Sequence, residues 1–357
     1  MTMISFYPGP SRIHDEIPVY TRDAARDGIM SINHRSAEFM TIVKRSSRLL
    51  KQKLGIPNNY TILYASSATE CWEIIAQSLV ATKSHHLYNG AFGQKWFDYA
   101  HRIKPSETEA IVFSREEKID VQSLALSPKE SLICITQNET SNGTQVSQPL
   151  LKELRAAYKD ALIAVDATSS MAGIKLDFKQ ADVWFASVQK CFGLPAGLAV
   201  LACSPQAIER ALSLNEKKHY NSLTSMISMM EKWQTTHTPN VLGIYLLMRV
   251  LEKVDRIETV HATTVNRFRQ WKEFLKSQPS FRMLIANEDV QSFTVLPLEA
   301  DTATVTSLKR KAKNAGFLLG EGYGDLKATT FRIANFPALR QKEISALQQF
   351  IISMKKS

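Results

Sequence analysis

Two short runs constrain this chain more than any others: LIAVD (residues 162–166) and ADVWFASVQK (residues 181–190). Both are apolar without in–out alternation, and both end in a charged residue. A strand with one wet face alternates polar and apolar side chains, whereas a run apolar throughout is covered on both faces. YTILYAS (60–66), ESLICITQNET (130–140) and GLAVLAC (197–203) read the same way. Segments of helical spacing stand between them. In SATECWEIIAQSLVA (67–81), Cys71, Ile74, Ile75, Ser78 and Leu79 share one face, and AFGQKWFDYAHRI (91–103) and QPLLKELRAAYKDA (148–161) are further helices. Strands covered on both faces and separated by helices specify an α/β fold on a mainly parallel sheet.

The character changes toward the C-terminus. Residues 217–257 read as mostly helical and elongated, and FRMLIAN, SFTVLPL, TATVTSLKRKAKNAGFLLG and TTFRIAN then read as a smaller α+β unit with antiparallel strands. A chain of 357 residues exceeds one typical domain. The expected division is a large domain of 15–257 and a small domain of 258–357 that takes in the N-terminal segment 1–14.

In open α/β sheets ligands sit beyond the carboxyl ends of the strands, so the polar residues at those ends are the candidates for chemistry. SSATE (66–70) lies between a strand and a helix, where small residues let an anion approach the helix N-terminus. The ordinary alternative is simple N-capping by Ser67 or Thr69. Asp166 could pair with a cationic ring nitrogen, or merely cap a turn. Lys190 comes 24 residues after Asp166, room for one crossover, and the turn of Gly193, Pro195 and Gly197 follows it. A lysine in a desolvated cleft loses its proton and becomes a nucleophile; an exposed lysine at a strand tip does nothing. Phe92, after a loop glycine, could stack on a planar ring or sit in the core. Together these supply an anion cradle, a carboxylate, an aromatic plate and a lysine, the set that a pyridoxal phosphate site requires.

Composition removes other classes. The formal charge of +10 is scattered, with no block of five like charges, which argues against nucleic acid and suits small anions. Cys71, Cys134, Cys191 and Cys203 form no close-spaced pair, so neither a zinc site nor a disulfide framework is expected. The start, MTMISFYPGPSRI, lacks a charged segment followed by an apolar one, and no apolar run reaches the ~18 residues of a membrane span. The expectation is a cytoplasmic protein with no membrane partner.

The ordered motifs resemble the class V aminotransferases among the fold-type I pyridoxal phosphate enzymes, and within them most the phosphoserine aminotransferase branch. FYPGP is similar to that branch's N-terminal Gly-Pro turn, SINHRSAEF to its His-Arg segment and IPNNYTILY to its strand before the phosphate loop. QNETSNG, VDATSS and SVQKCFGLPAG resemble its Asn-Glu-Thr, aspartate and cofactor-lysine segments, THTPN its threonine-proline motif and TTFRIAN its carboxylate-arginine strand. The resemblance implies roles. Lys190 would hold pyridoxal 5'-phosphate covalently, Asp166 would keep the ring nitrogen protonated, Phe92 would stack on the ring and Thr140 would approach its hydroxyl side. Ser67, Ala68, Thr69 and Gln189 would hold the phosphate, with His237 and Thr238 supplied across a homodimer. His34, Arg35 and Arg332 would bind the amino acid and 2-oxo acid substrates, Arg332 through the α-carboxylate. The implied activity is ping-pong transamination between phosphoserine and 2-oxoglutarate, in serine biosynthesis. That branch carries a second His-Arg pair before the carboxylate arginine; this chain has Asp325 and Leu326 there, then Lys327, a stretch equally similar to the alanine–glyoxylate and serine–pyruvate branch. A cysteine desulfurase of the same fold would need a late nucleophilic cysteine, and none follows Cys203. A binding protein that had lost catalysis would be expected to lack Lys190 or Asp166.

Overall fold

The computed structural model describes residues 3–127 and 130–354. Its large sheet has seven strands in the order Thr61–Ala65, Ala199–Cys203, Val183–Ser187, Leu162–Asp166, Leu132–Thr136, Ser84–Tyr88, Thr108–Val112. From Val183–Ser187 to Thr108–Val112 every neighbouring pair is parallel, while Ala199–Cys203 runs antiparallel to both of its neighbours. The reversal follows from the Gly/Pro turn between Ser187 and Ala199, which is too short for the crossover that a parallel partner needs. All five residues of Leu132–Thr136, Leu162–Asp166, Val183–Ser187 and Ala199–Cys203 are buried, as continuous apolar runs require. The edge strand Thr108–Val112 instead has Val112 68% exposed, the mark of a strand covered on one side only.

Helices cover both faces. Ala37–Leu54, Ala68–Leu79 and Gln148–Ala157 each start at a serine whose Oγ accepts an N–H of the first turn: Ser36 from Phe39, Ser67 from Glu70, Ser147 from Leu150. Ala91–Ile103 follows Gly90 and has no such cap of its own. A second sheet of five strands runs Ile4–Phe6, Phe317–Glu321, Thr330–Ala334, Val295–Glu299, Arg282–Met283. The N-terminal strand pairs parallel with Phe317–Glu321 and all other pairs are antiparallel. Buried apolar side chains form one cluster over the large sheet and another containing Phe6, Phe268, Trp271, Phe331 and Ile344 over the second.

Two sequence expectations are corrected. Residues 217–257 are helical but not elongated: the helices Leu223–Met230 and Val241–Lys253 are separated by a loop that turns at Trp233 (φ 58°) and ends where Asn240 caps the second helix through Gly243 N–H. FRMLIAN makes a strand only at Arg282–Met283, because Asn287 caps a short 3-10 turn and the N–H groups of Ala286 and Asn287 donate to Glu116. Among the described residues no group of acidic, histidine or cysteine side chains could hold a metal, all four cysteines are free and buried, and no helix is long and apolar enough to cross a membrane.

Candidate active site

Three parallel strands end at one place. Thr136, Asp166 and Ser187 close them, and with the N-terminal turn Tyr7–Gly9, two helix starts, Tyr323 and Arg332 they border a cavity of about 250 Å³. Lys190 lies three residues past the end of its strand, in the turn, and is 7% exposed. Its Nζ donates to Thr140 Oγ1 at 2.9 Å and to Ser169 Oγ at 3.0 Å, and these two hydroxyls also bond each other. Burial lowers the Lys190 ammonium to about 8, against the pull of Asp166 and Glu139. The N-terminal turn fits around this side chain: at Gly9 (φ 142°) a Cβ would stand 2.7 Å from Lys190 Cε, so only glycine serves there. Ser11 N–H donates to Gln189 O at 3.0 Å and fastens that turn to the lysine segment.

Asp166 is buried beside it. Oδ2 accepts from Trp72 Nε1 at 3.1 Å and Oδ1 from Thr168 N–H at 2.9 Å. Burial pushes the carboxyl up, while the Thr168 and Trp72 bonds and the Lys190 charge hold it down. At the start of Ala68–Leu79, Ala68 N–H donates to Ser187 Oγ at 2.7 Å and Glu70 N–H to Ser67 Oγ, which leaves Thr69 N–H as the free donor of that turn among the described residues. Arg332 has Nε on Glu321 O at 2.6 Å and one Nη on Thr140 O at 2.8 Å, and no carboxylate pairs with it among the described residues. The guanidinium is thus fixed by backbone and still carries its charge into the cavity. Phe92 stands with its ring centroid 5.0 Å from Lys190 Nζ.

A class V aminotransferase family model matches residues 8–313. The chain belongs to the class V aminotransferases. A phosphoserine aminotransferase from Rhodococcus opacus is 27% identical, over 96% of this chain and 92% of that protein. The crystal structure of a phosphoserine aminotransferase from Cytophaga hutchinsonii is 31% identical and superposes with a TM-score of 0.92 over 98% of both chains. An alanine–glyoxylate aminotransferase from Nostoc sp., 18% identical with a TM-score of 0.80 over 98% of this chain and 96% of that one, shares the fold.

This aminotransferase works with pyridoxal 5'-phosphate, and its cavity fits that group. Thr136 Oγ1, Asn138 Oδ1 and Thr168 Oγ1 line the cavity, are buried, and have no hydrogen-bond partner among the described residues. Three orphaned polar atoms beside a buried carboxylate, a lysine and a helix N-terminus are partners awaiting a polar, anionic ring. Ala68, Thr69, Phe92, Thr140, Asp166, Gln189, Lys190 and Arg332 come together in this cavity. Ser67 does not line it: its hydroxyl is spent on the helix cap, and it borders a neighbouring surface pocket with Ser66 and Glu70. His34, Arg35, His237 and Thr238 do not line the cavity of their own chain. Arg35 Nη1 donates to Gln234 Oε1 at 2.7 Å, His34 feels the charges of Arg35 and His237, and Thr238 is exposed, so the four make a separate surface patch.

Trp72, Glu139, Ser169 and Tyr323 escaped the sequence reading. Ser169 sits inside VDATSS and Trp72 two residues past SSATE, so proximity to those motifs was the available signal. All four thiols are raised by burial, Cys203 to about 12, which leaves no thiolate for desulfurase chemistry.

Proposed function

We propose that this aminotransferase moves the amino group of phosphoserine to 2-oxoglutarate, a step of serine biosynthesis. The observation that carries this reading is the likeness to the Cytophaga phosphoserine aminotransferase along 98% of both chains. We read the chain as a large domain of 15–257 and a small domain of 258–357 with 1–14, working as a homodimer.

When bound, pyridoxal phosphate supplies an electron sink for the pair left at Cα on deprotonation. In this reading Lys190 holds the cofactor at rest, and its free amine takes the proton from Cα of the donor. In the second half-reaction Lys190 returns a proton to Cα of the new amino acid. A base of pKa about 8 does both near neutral pH. Asp166 would hold the protonated ring nitrogen, Phe92 would cover the ring and Thr140 its hydroxyl side. Ala68, Thr69, Ser67 and Gln189 would hold the phosphate with the partner subunit's His237 and Thr238. His34 and Arg35 share the surface patch of His237, so they too would serve the neighbouring cavity. Arg332 would clamp the α-carboxylate through a bidentate pair.

One observation favours a second reading. Asp325 and Leu326 occupy an exposed 3-10 turn, Gly324–Lys327, where an anion-binding pair would be expected, and an alanine–glyoxylate or serine–pyruvate enzyme has no use for such a pair. Steady-state kcat/KM for phosphoserine, serine, alanine and aspartate, each against 2-oxoglutarate, pyruvate and glyoxylate, decides between them. Phosphoserine with 2-oxoglutarate should lead by at least tenfold; a lead for alanine with glyoxylate overturns the first reading.

A further inference from the structure

Besides the partner subunit's His34 and Arg35, the chain has no second His-Arg pair before Arg332 to meet a second anion on the substrate. Lys327 does not take its place, because it is exposed on the 3-10 turn and does not line the cavity. Lys95 does not line the cavity either, but it is bonded to Tyr323, which does. Lys95 follows Phe92 by one turn of Ala91–Ile103, so the two side chains share a helix face. Its Nζ donates to Tyr323 Oη at 2.6 Å, 5.4 Å from the Tyr323 ring centroid and 5.6 Å from that of Phe92. Tyr323 borders the cavity and packs on Phe92 at 5.5 Å between centroids, and the Arg332 guanidinium stands 5.6 Å from the same tyrosine ring. The ring of Tyr323 therefore has two cations near it, Arg332 fixed by backbone carbonyls and Lys95 held only by the Tyr323 hydroxyl.

We propose that Lys95 is a specificity-determining residue that meets the distal anionic group of the substrate, with the Tyr323 hydroxyl as its co-ligand. The proposal rests on the phosphoserine reading above. An ammonium has three donors, and Tyr323 takes one. Tyr323 accepts that bond, so its own proton is free to donate to an oxyanion. In phosphoserine the carboxylate carbon and the phosphorus are four bonds apart, roughly 5 Å. A carboxylate on Arg332 and a phosphate toward Lys95 would then lie beside the same ring. Serine or alanine would leave Lys95 on Tyr323 alone.

The test compares the holoenzyme with its Lys95→Met, Lys95→Arg and Tyr323→Phe variants, using phosphoserine, glutamate and serine as donors. Lys95→Met should lower the phosphoserine-to-serine ratio of kcat/KM by roughly five- to thirtyfold, mainly through KM; the exposure of Lys95 keeps the effect below that of a buried cation. Lys95→Arg should restore most of the ratio, Tyr323→Phe should lower it less than Lys95→Met, and added salt should shrink the wild-type ratio. An equal loss on phosphoserine and serine, or no change, overturns the assignment and makes Lys95 a brace for Tyr323. A wild type that prefers glutamate to phosphoserine overturns the phosphoserine reading instead, and Lys95 is then judged by the same ratio measured on glutamate.

Discussion

The carboxylate of Glu139 accepts the backbone N–H of Phe92 at 3.1 Å, and so a residue of the Asn-Glu-Thr segment sets the aromatic wall of the cavity. The same Oε2 takes Gly93 N–H at 3.0 Å, and Oε1 takes Ser141 N–H at 2.9 Å and Ser141 Oγ–H at 2.6 Å. Glu139 is thus the cap that Ala91–Ile103 lacks in its own sequence, and its neighbour Thr140 accepts from Lys190. Gly90 makes the approach possible, since a Cβ there would stand 2.4 Å from Glu139 Cγ. One residue step joins the aromatic plate to the lysine.

That cap is testable. All four bonds to the Glu139 carboxylate come from donors, so an amide would turn an NH2 against an N–H. Glu139→Gln should cost about 1–3 kcal/mol in denaturant unfolding and weaken pyridoxal phosphate affinity, because Phe92 loses its fixed position. Unfolding curves and a cofactor titration followed by absorbance check this. Wild-type cofactor affinity in a destabilised variant would confine Glu139 to folding.

Lys190→Ala should retain the fold and lose steady-state transamination. Borohydride treatment of the wild type should fix the cofactor's mass on the peptide carrying Lys190, and on nothing in the variant. Near-wild-type turnover in the variant would dismiss Lys190 as the base.

The acidity of Lys190 gives a pH dependence with a definite sign. Its folded value, about 8, lies below the ordinary 10.5, so between these the unfolded chain binds more protons. Stability of the cofactor-free protein from this group therefore rises as pH rises from about 8 toward 10.5, and is level below about 8, where both states hold the proton. Uptake of added pyridoxal phosphate should accelerate with pH through about 8 and level off above it, because only the neutral amine attacks an aldehyde. Stopped-flow absorbance across pH 6–10 measures the uptake. A flat profile would mean the amine is already neutral at pH 6.

Much of this was legible in the sequence, and the limit is physical. Ala37–Leu54 and Ala91–Ile103 have sharp ends because a serine, glycines and the apolar periodicity agree there. Asp166 and Lys190 stood out because a charge at the end of an apolar run is locally anomalous. Trp72 and Tyr323 are different. A tryptophan on the apolar face of a helix looks like core until its indole N–H meets Asp166, 94 residues away, and Tyr323 meets Lys95 across 228 residues. Linear patterns report which face is buried and leave out which distant group lies opposite. The loop around Trp233 was missed for a related reason, since its neighbours on both sides are good helix.

Asp166 offers a graded series. Asp166→Asn should keep the Lys190 attachment yet lower kcat by on the order of a hundredfold or more, because a neutral ring nitrogen is a weaker electron sink. Trp72→Phe removes one bond to the same carboxylate and should cost roughly tenfold, near one hydrogen bond to a charged group. Single-turnover kinetics on both variants checks the order. Equal effects would mean that Trp72 acts through packing.

The last prediction concerns the patch formed by His34, Arg35, His237 and Thr238. These residues gather around Gln234 and the loop before Val241–Lys253, while their own chain's Lys190 cavity is lined without them. A patch of two histidines, an arginine and a threonine has the donors for a phosphate and no acid paired with Arg35 among the described residues. If two chains meet about a two-fold axis, each patch closes the other's cavity, and a cavity is complete only in the dimer. Lys190→Ala and Thr238→Ala chains damage opposite sides of that arrangement. Co-refolded in equal amounts, half of the dimers are mixed, and each mixed dimer keeps one intact cavity. Activity should recover to about a quarter of wild type, while each variant alone stays far below. Arg35→Ala in place of Thr238→Ala should complement in the same way with phosphoserine as donor. Failure to complement in a sample that light scattering shows to be dimeric would place His237 and Thr238 outside the neighbouring cavity. A fully active monomer would remove the shared site altogether.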